Sequence, residues 1–268
     1  MLRSRGKVKT PLILLIASAM VGAPLVRAQT DHFPPPLRAG QLMGLKVEDT
    51  DGKKIGSIRN FILDARTGEL KYAVIASGGF LGVRSALRLA PVQIMSAATT
   101  KRQTLAINTT MDEWFNTPVF KPSQLAWLSQ PGRAREIASS FAASRSLSQT
   151  GAWKQTNAHP HMLKFASDFI GQHVVNPQQQ RIGEVLDLLV SFGPPHPAFA
   201  IISAGKFFRD GHHYVIPLRA LKSDNSRKLF AYVDSNALET APPFTDEVWN
   251  ALSPGGSSAI YRYSKIGE

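Results

Sequence analysis

Asp51-Gly52-Lys53-Lys54-Ile55-Gly56 places a carboxylate, two lysines and two glycines within one short stretch. Such a set invites a phosphate cradle, in which backbone amides spaced by glycine meet the anion where a helix begins. The residues that follow, Ser57 to Leu63, alternate like a strand instead, so the stretch reads as a tight hairpin turn. Asp51-Gly52 suits its centre because both residues accept positive φ. Asp64, Arg66 and Glu69 flank a second turn, Ala65-Arg66-Thr67-Gly68. They read as a solvated β-turn with an Asx-type cap; an acid/base pair there lacks a second element. His159, His161, His212 and His213 are the metal-ligand candidates, since imidazole binds zinc or copper without thiols. No carboxylate accompanies them at ligand spacing, and a site requires the two loops to meet. The chain has no cysteine, which removes disulfides, thiol nucleophiles and zinc–thiolate sites together. No G-x-S-x-G elbow is present, and Gly78-Gly79-x-x-Gly82 reads as a glycine hairpin. The residues therefore assign no catalytic, cofactor-binding or metal-binding set.

The N-terminus carries a targeting pattern. Arg3, Arg5, Lys7 and Lys9 precede an apolar run from Pro11 to Val26, then Val26-Arg27-Ala28. This is the layout of a Sec-type signal cut after Ala28. The apolar run falls short of the roughly 20 residues of a spanning helix, which leaves an N-terminal inner-membrane anchor as the alternative. Removing the signal takes away five of the 31 basic residues and none of the 19 acidic ones, lowering the net charge from +12 to +7. That is mildly basic and a weak argument for nucleic acid.

Stepping along the chain, the same pattern occurs twice. Residues 44–78 align without a gap on residues 171–205, at an offset of 127. Gly44, Val47, Ile55, Gly56, Ala73, Ile75 and Gly78 match Gly171, Val174, Ile182, Gly183, Ala200, Ile202 and Gly205. Pro91 falls on Pro217 at an offset of 126, and Pro118 and Phe120 fall on Pro242 and Phe244 at 124. Short β-branched runs with frequent turns predict a small barrel in each copy. Each copy then turns helical: Thr110 and Glu113 form a capping box, and Asp234 takes the same cap position in the second copy. Between the copies, Ala134, Ile137, Ala138, Phe141 and Ala142 recur at helical spacing, predicting one amphipathic helix from Arg133 to about Ser146. This connector carries six Lys/Arg against Glu136 alone. Trp114, Phe115, Trp127 and Trp249 lie outside the strands and are expected to pack helices onto barrels. Arg84, Arg88, Lys101 and Arg102 are read as a solvated basic edge of the first copy, with anionic headgroups or an acidic partner as the sharper option.

These anchors resemble the PRC-barrel family, which includes the cytoplasmic domain of the photosynthetic reaction-centre H subunit and the C-terminal domain of the ribosome maturation factor. The first copy carries the resemblance through Leu42-Met43-Gly44, Val47, residues 51–75 and Leu89-Ala90-Pro91. The second keeps Gly171, Ile182-Gly183 and Ile216-Pro217 but has Pro177 to Gln180 in place of the Asp-Gly turn. The resemblance implies a small docking or assembly barrel with no shared catalytic set. The expected organisation is a signal (1–28), a first barrel with its helix (39–120), a basic, partly helical connector (121–165), a second barrel with its helix (166–244) and a tail (245–268). The expected role is a non-enzymatic, exported module binding a protein partner in the periplasm, with peripheral contact to an anionic membrane surface as an option. The alternatives are an envelope or stress-related structural protein without a ligand, or a metal-assisted enzyme using the histidine loops.

Overall fold

Two seven-stranded sheets, one per copy, carry the chain. The structure is a computed structural model and describes residues 36–78, 86–97, 104–130, 132–143, 162–193, 197–204, 213–223, 228–231 and 244–245. Outside them lie the signal with its cut after Ala28, Gly79, Gly82, Arg84, Lys101, Arg102, His159, His161, His212, the Asp234 cap, Trp249 and nearly all of the 245–268 tail.

In the first copy β2 (Lys46–Glu48), β3 (Lys54–Asp64), β4 (Glu69–Ser77) and β5 (Ala86–Pro91) run as an antiparallel meander. β6 (Met95–Ala97) and β7 (Thr104–Ile107) follow, and β7 returns to lie parallel to β2, giving the order β5-β4-β3-β2-β7-β6. The second copy repeats this with β9 (His173–Val175), β10 (Arg181–Val190), β11 (Ala198–Ala204), β12 (His213–Pro217), β13 (Leu221–Ser223) and β14 (Lys228–Ala231), ordered β12-β11-β10-β9-β14-β13. The long strands β3 and β10 share one pattern of exposed, half-buried and buried positions along their whole common length. The chain is thus mainly β, two tandem barrel-like sheets with few helices, as expected. No helix among the described residues is long and apolar enough to cross a membrane.

The sheets are not independent. The segment leading into each copy pairs with the long strand of the other. β1 (Leu37–Arg38) joins β10, with Leu37 opposite Val190 and Arg38 opposite Leu189. β8 (Leu163–Phe165) joins β3, with Lys164 opposite Leu63 and Phe165 opposite Ile62. At the 127-residue offset these are the same pairings, so the exchange is reciprocal, as across the self-complementary interface of a two-fold dimer. The turn after each lead strand is held the same way. Gly40 N–H donates to Asp187 Oδ1 at 2.9 Å, and the equivalent Ser167 N–H donates to Asn60 Oδ1 at 3.4 Å. The Phe61 and Phe192 rings meet at 6.4 Å between the copies, and Ala198 N–H donates to the Gly68 carbonyl at 2.7 Å. The burial of Phe61, Ile62, Leu63 and Asp64, all fully buried, follows from this exchange.

Both first hairpins use one turn. Asp49 accepts from the amides of Asp51 and Lys53, Gly52 N–H bonds Asp49 O, and Gly52 alone is left-handed, at φ 75°. The turn is therefore a type I turn closed by a left-handed residue. The expectation of positive φ at both Asp51 and Gly52 is corrected, because Asp49 caps the loop and keeps Asp51 right-handed. In the second copy Asn176 takes the capping role of Asp49, and Gln179 occupies the Gly52 position at φ 65°. A side chain there is strained by about 1 kcal/mol. Gln179→Gly is therefore expected to stabilise the chain by about that amount, read as a higher urea midpoint at unchanged slope.

The core of the first barrel includes Tyr72, whose burial raises its phenol well above the usual 10. The folded chain holds a proton that the unfolded chain releases. Tyr72's share of the stability is therefore complete below about pH 10 and lost as pH rises beyond it. Tyr72→Phe is expected to flatten the alkaline fall in stability, measured by urea titrations between about pH 9 and 12.

The connector packs on the first barrel. α3 (Arg133–Ser139) buries Ile137 and Ala138 and stops at Ser140, and helix resumes at Ala142–Ala143, so the single helix predicted from Arg133 to about Ser146 is corrected to one broken at Phe141. Phe141 leaves the helix to lie under the Trp114 ring, with centroids 6.3 Å apart, and Glu113 Oε1 accepts from Ala142 N–H. These contacts sit at the break in the helix.

Candidate functional site

The residues that looked most chemical are occupied in building turns. Lys53 Nζ lies 3.4 Å from Asp51 Oδ2 with both side chains largely exposed, and β3 rather than a helix follows. Nothing there presents converging amides to an anion. Asp64 is fully buried; its Oδ1 accepts from the amides of Arg66 and Thr67, the expected Asx-type cap. Glu69 is ion-paired to Lys71. The second copy caps the aligned turn with a hydroxyl: Gly193 N–H donates to Ser191 Oγ at 3.2 Å. Of the histidine candidates only His213 is described; it begins the edge strand β12, and Phe244 N–H donates to its carbonyl. Among the described residues no three potential ligands gather as a metal site would require.

The aromatic residues divide. Trp114, in α2 (Met111–Phe115), has no exposed surface and donates Nε1–H to Ser77 Oγ at 2.8 Å, tying α2 to β4. The Thr110–Glu113 capping box predicted from sequence is formed. Phe115 differs from the packing expectation: it is 45% exposed, with the Arg88 guanidinium 5.3 Å above its ring. The chain after α2 then doubles back, and Phe120 N–H bonds the Leu87 carbonyl on the outer edge of β5. Phe244 repeats that device on β12 in the second copy.

This fold-back builds a groove that the sequence did not reveal. Its floor is Leu89; its walls are residues 117–120, Trp127 of the connector and Ile137 of α3. It is shallow, with an interior of about 10 Å³, room for about one water. Arg133 stacks on Trp127, one of its walls, 4.6 Å from the ring centre, while also pairing with Glu136. Leu89 and Trp127 are distant in sequence, so only the folded connector joins them. The one local signal was the Thr117-Pro118-Val119-Phe120 ending, whose Val119 stays 54% exposed.

The PRC-barrel domain model matches residues 37–112 and 162–237. The chain belongs to the PRC-barrel domain family. Both matches begin at the lead strands β1 and β8, so each PRC-barrel repeat, taken in sequence, includes the strand it lends to its neighbour. No curated protein matches the chain. Membership of this family points to a protein-interaction module.

Proposed function

We propose that this tandem PRC-barrel protein is an exported, non-enzymatic module that binds or assembles protein partners in the cell envelope. One observation carries the reading. The carboxylates of the first barrel's turns, Asp49, Asp64 and Glu69, are engaged by turn amides and a lysine. Where the chain folds back over β5, apolar side chains are left open instead: Phe115, under the Arg88 guanidinium, and Val119. Export rests on the basic, then apolar, then small-residue pattern of residues 1–28. The lead-strand exchange supports an assembly role, since it holds two barrels as one body to which a partner can add.

The test is a pull-down of the tagged full chain from the periplasmic fraction of a Gram-negative host, with the mature N-terminus read by mass spectrometry. The expected result is a chain beginning at Gln29 and a reproducible protein partner. Recovery of nothing above background, or an uncleaved N-terminus facing the cytoplasm, contradicts the proposal.

A further inference from the structure

The two copies build one outer face on the same backbone and charge it differently. In the second copy Glu184 of β10 stands opposite His173 of β9, and Arg181 lies three residues before it. Glu184 Oε2 accepts from Arg181 Nη2 at 3.2 Å and lies 3.7 Å from His173 Nδ1. One carboxylate therefore sits between two basic side chains. The first copy repeats this register at the 127-residue offset, irregularity included: Ser57 stands opposite Lys46, Gly56 opposite Val47 and Lys54 opposite Glu48. Lys46, Lys54 and Ser57 are thus the counterparts of His173, Arg181 and Glu184.

In the first copy the same three places hold two ammonium groups and a hydroxyl. Both lysines are exposed and Ser57 is half-buried. Among the described residues no carboxylate lies within ion-pair distance of either lysine, although Glu48 stands opposite Lys54 in the ladder. Lys53, the next cation along, is paired with Asp51. With no anion between them the two ammonium groups repel, and an anion from outside relieves that. What fills this place in the second copy is a carboxylate carried on a strand, so the complementary chemistry is a carboxylate on an extended protein segment. The chain's net positive charge disfavours a second molecule of itself as the source.

Resting on the protein-binding reading above, we infer that the outer face of β2 and β3 at Lys46, Ser57 and Lys54 receives an acidic side chain of a partner protein, whose carboxylate takes the place that Glu184 holds between His173 and Arg181. The contact is electrostatic and solvated, so it weakens as salt rises. The second copy supplies its own carboxylate there, so the first copy is the one that docks the partner.

The test titrates a fluorescein-labelled peptide of alternating Glu and Ser, whose carboxylates fall on one side of an extended chain, into the full chain at low salt. Anisotropy reads binding, and amide shifts of Lys46, Ser57 and Lys54 by NMR locate it. Ser57→Glu writes the second copy's residue into the first and should weaken binding by about fivefold or more, with a urea midpoint no lower than wild type. The double change Lys46→Ala, Lys54→Ala, at exposed positions, should give a similar loss with the fold intact by circular dichroism. Ser57→Gln adds the bulk without the charge and should bind as wild type does. Gln178→Glu makes the same change of charge on an exposed turn of the second copy and should leave binding unchanged. Equal losses in Ser57→Glu and Gln178→Glu, shifts centred elsewhere, or no binding at all overturn the site. Phosphatidylglycerol vesicles bound by the wild type and released by Ser57→Glu, with no peptide bound, make it a lipid site and overturn it too, as does self-association abolished by Ser57→Glu. The periplasmic pull-down decides the broader reading separately: a partner recovered equally by wild type and Ser57→Glu leaves protein binding standing without this site.

Discussion

Gly183→Ala is expected to destabilise the chain by about 3 kcal/mol or more, at the upper end of what overpacking costs. A Cβ at Gly183 stands 1.9 Å from the Ser203 carbonyl oxygen and 2.8 Å from Ile202 Cγ2. The obstacle is the backbone of a paired strand in mid-sheet, which no rotamer change can move. β10 shifts register against β9 between Arg181 and Gly183, and Gly183 lies opposite Ala204 of β11. Gly56 holds the equivalent place in the first copy, with a Cβ 2.4 Å from the Ala76 carbonyl oxygen. Gly56→Ala is expected to follow with a smaller but similar loss. The double change Lys53→Ala, Lys54→Ala, three and two residues before Gly56, is expected to stay within about 0.5 kcal/mol, as for other solvated positions. Urea denaturation of the three variants checks this. Equal stability of the glycine and lysine variants contradicts the assignment of this stretch to the fold.

Trp114→Ala is the second large expected loss, about 3–5 kcal/mol. The ring is wholly buried, and its removal leaves the Ser77 hydroxyl without its donor and Phe141 without its neighbour. The loss extends to the connector, because Phe141 and the Glu113–Ala142 hydrogen bond are what hold residues 141–143 against α2. Limited proteolysis should then cut near residue 143 faster in Trp114→Ala than in wild type, beyond the change expected from global stability. Trp114→Phe keeps most of the packing and loses the hydrogen bond, so it should fall between the two. A connector equally protected in all three contradicts this coupling.

The duplication was legible because strands announce themselves locally. Ile55-Gly56 and Ile182-Gly183 recur at one offset, and alternation with glycine-bounded turns defines each hairpin. The Asx cap at Asp64 and the capping box at Thr110 were legible for the same reason, as both act within a few residues. The exchange of β1 and β8 was not. Leu37-Arg38 and Leu163-Lys164-Phe165 are too short to show periodicity, and nothing in them names the strand they join. The groove escaped notice because Leu89, Trp127 and Ile137 converge only when the connector folds back. The break at Phe141 was not legible because the apolar spacing continues through that residue, while the fold sets it against Trp114.

The PRC-barrel repeats form one body, each completed by a strand from the other. Equilibrium unfolding of the full chain in urea tests this most directly, with hydrogen exchange read by mass spectrometry in β3–β4 and in β10–β11. The account predicts one transition, with both hairpins losing protection at the same denaturant concentration. Two separate transitions, with either hairpin still protected after the other has opened, would contradict it.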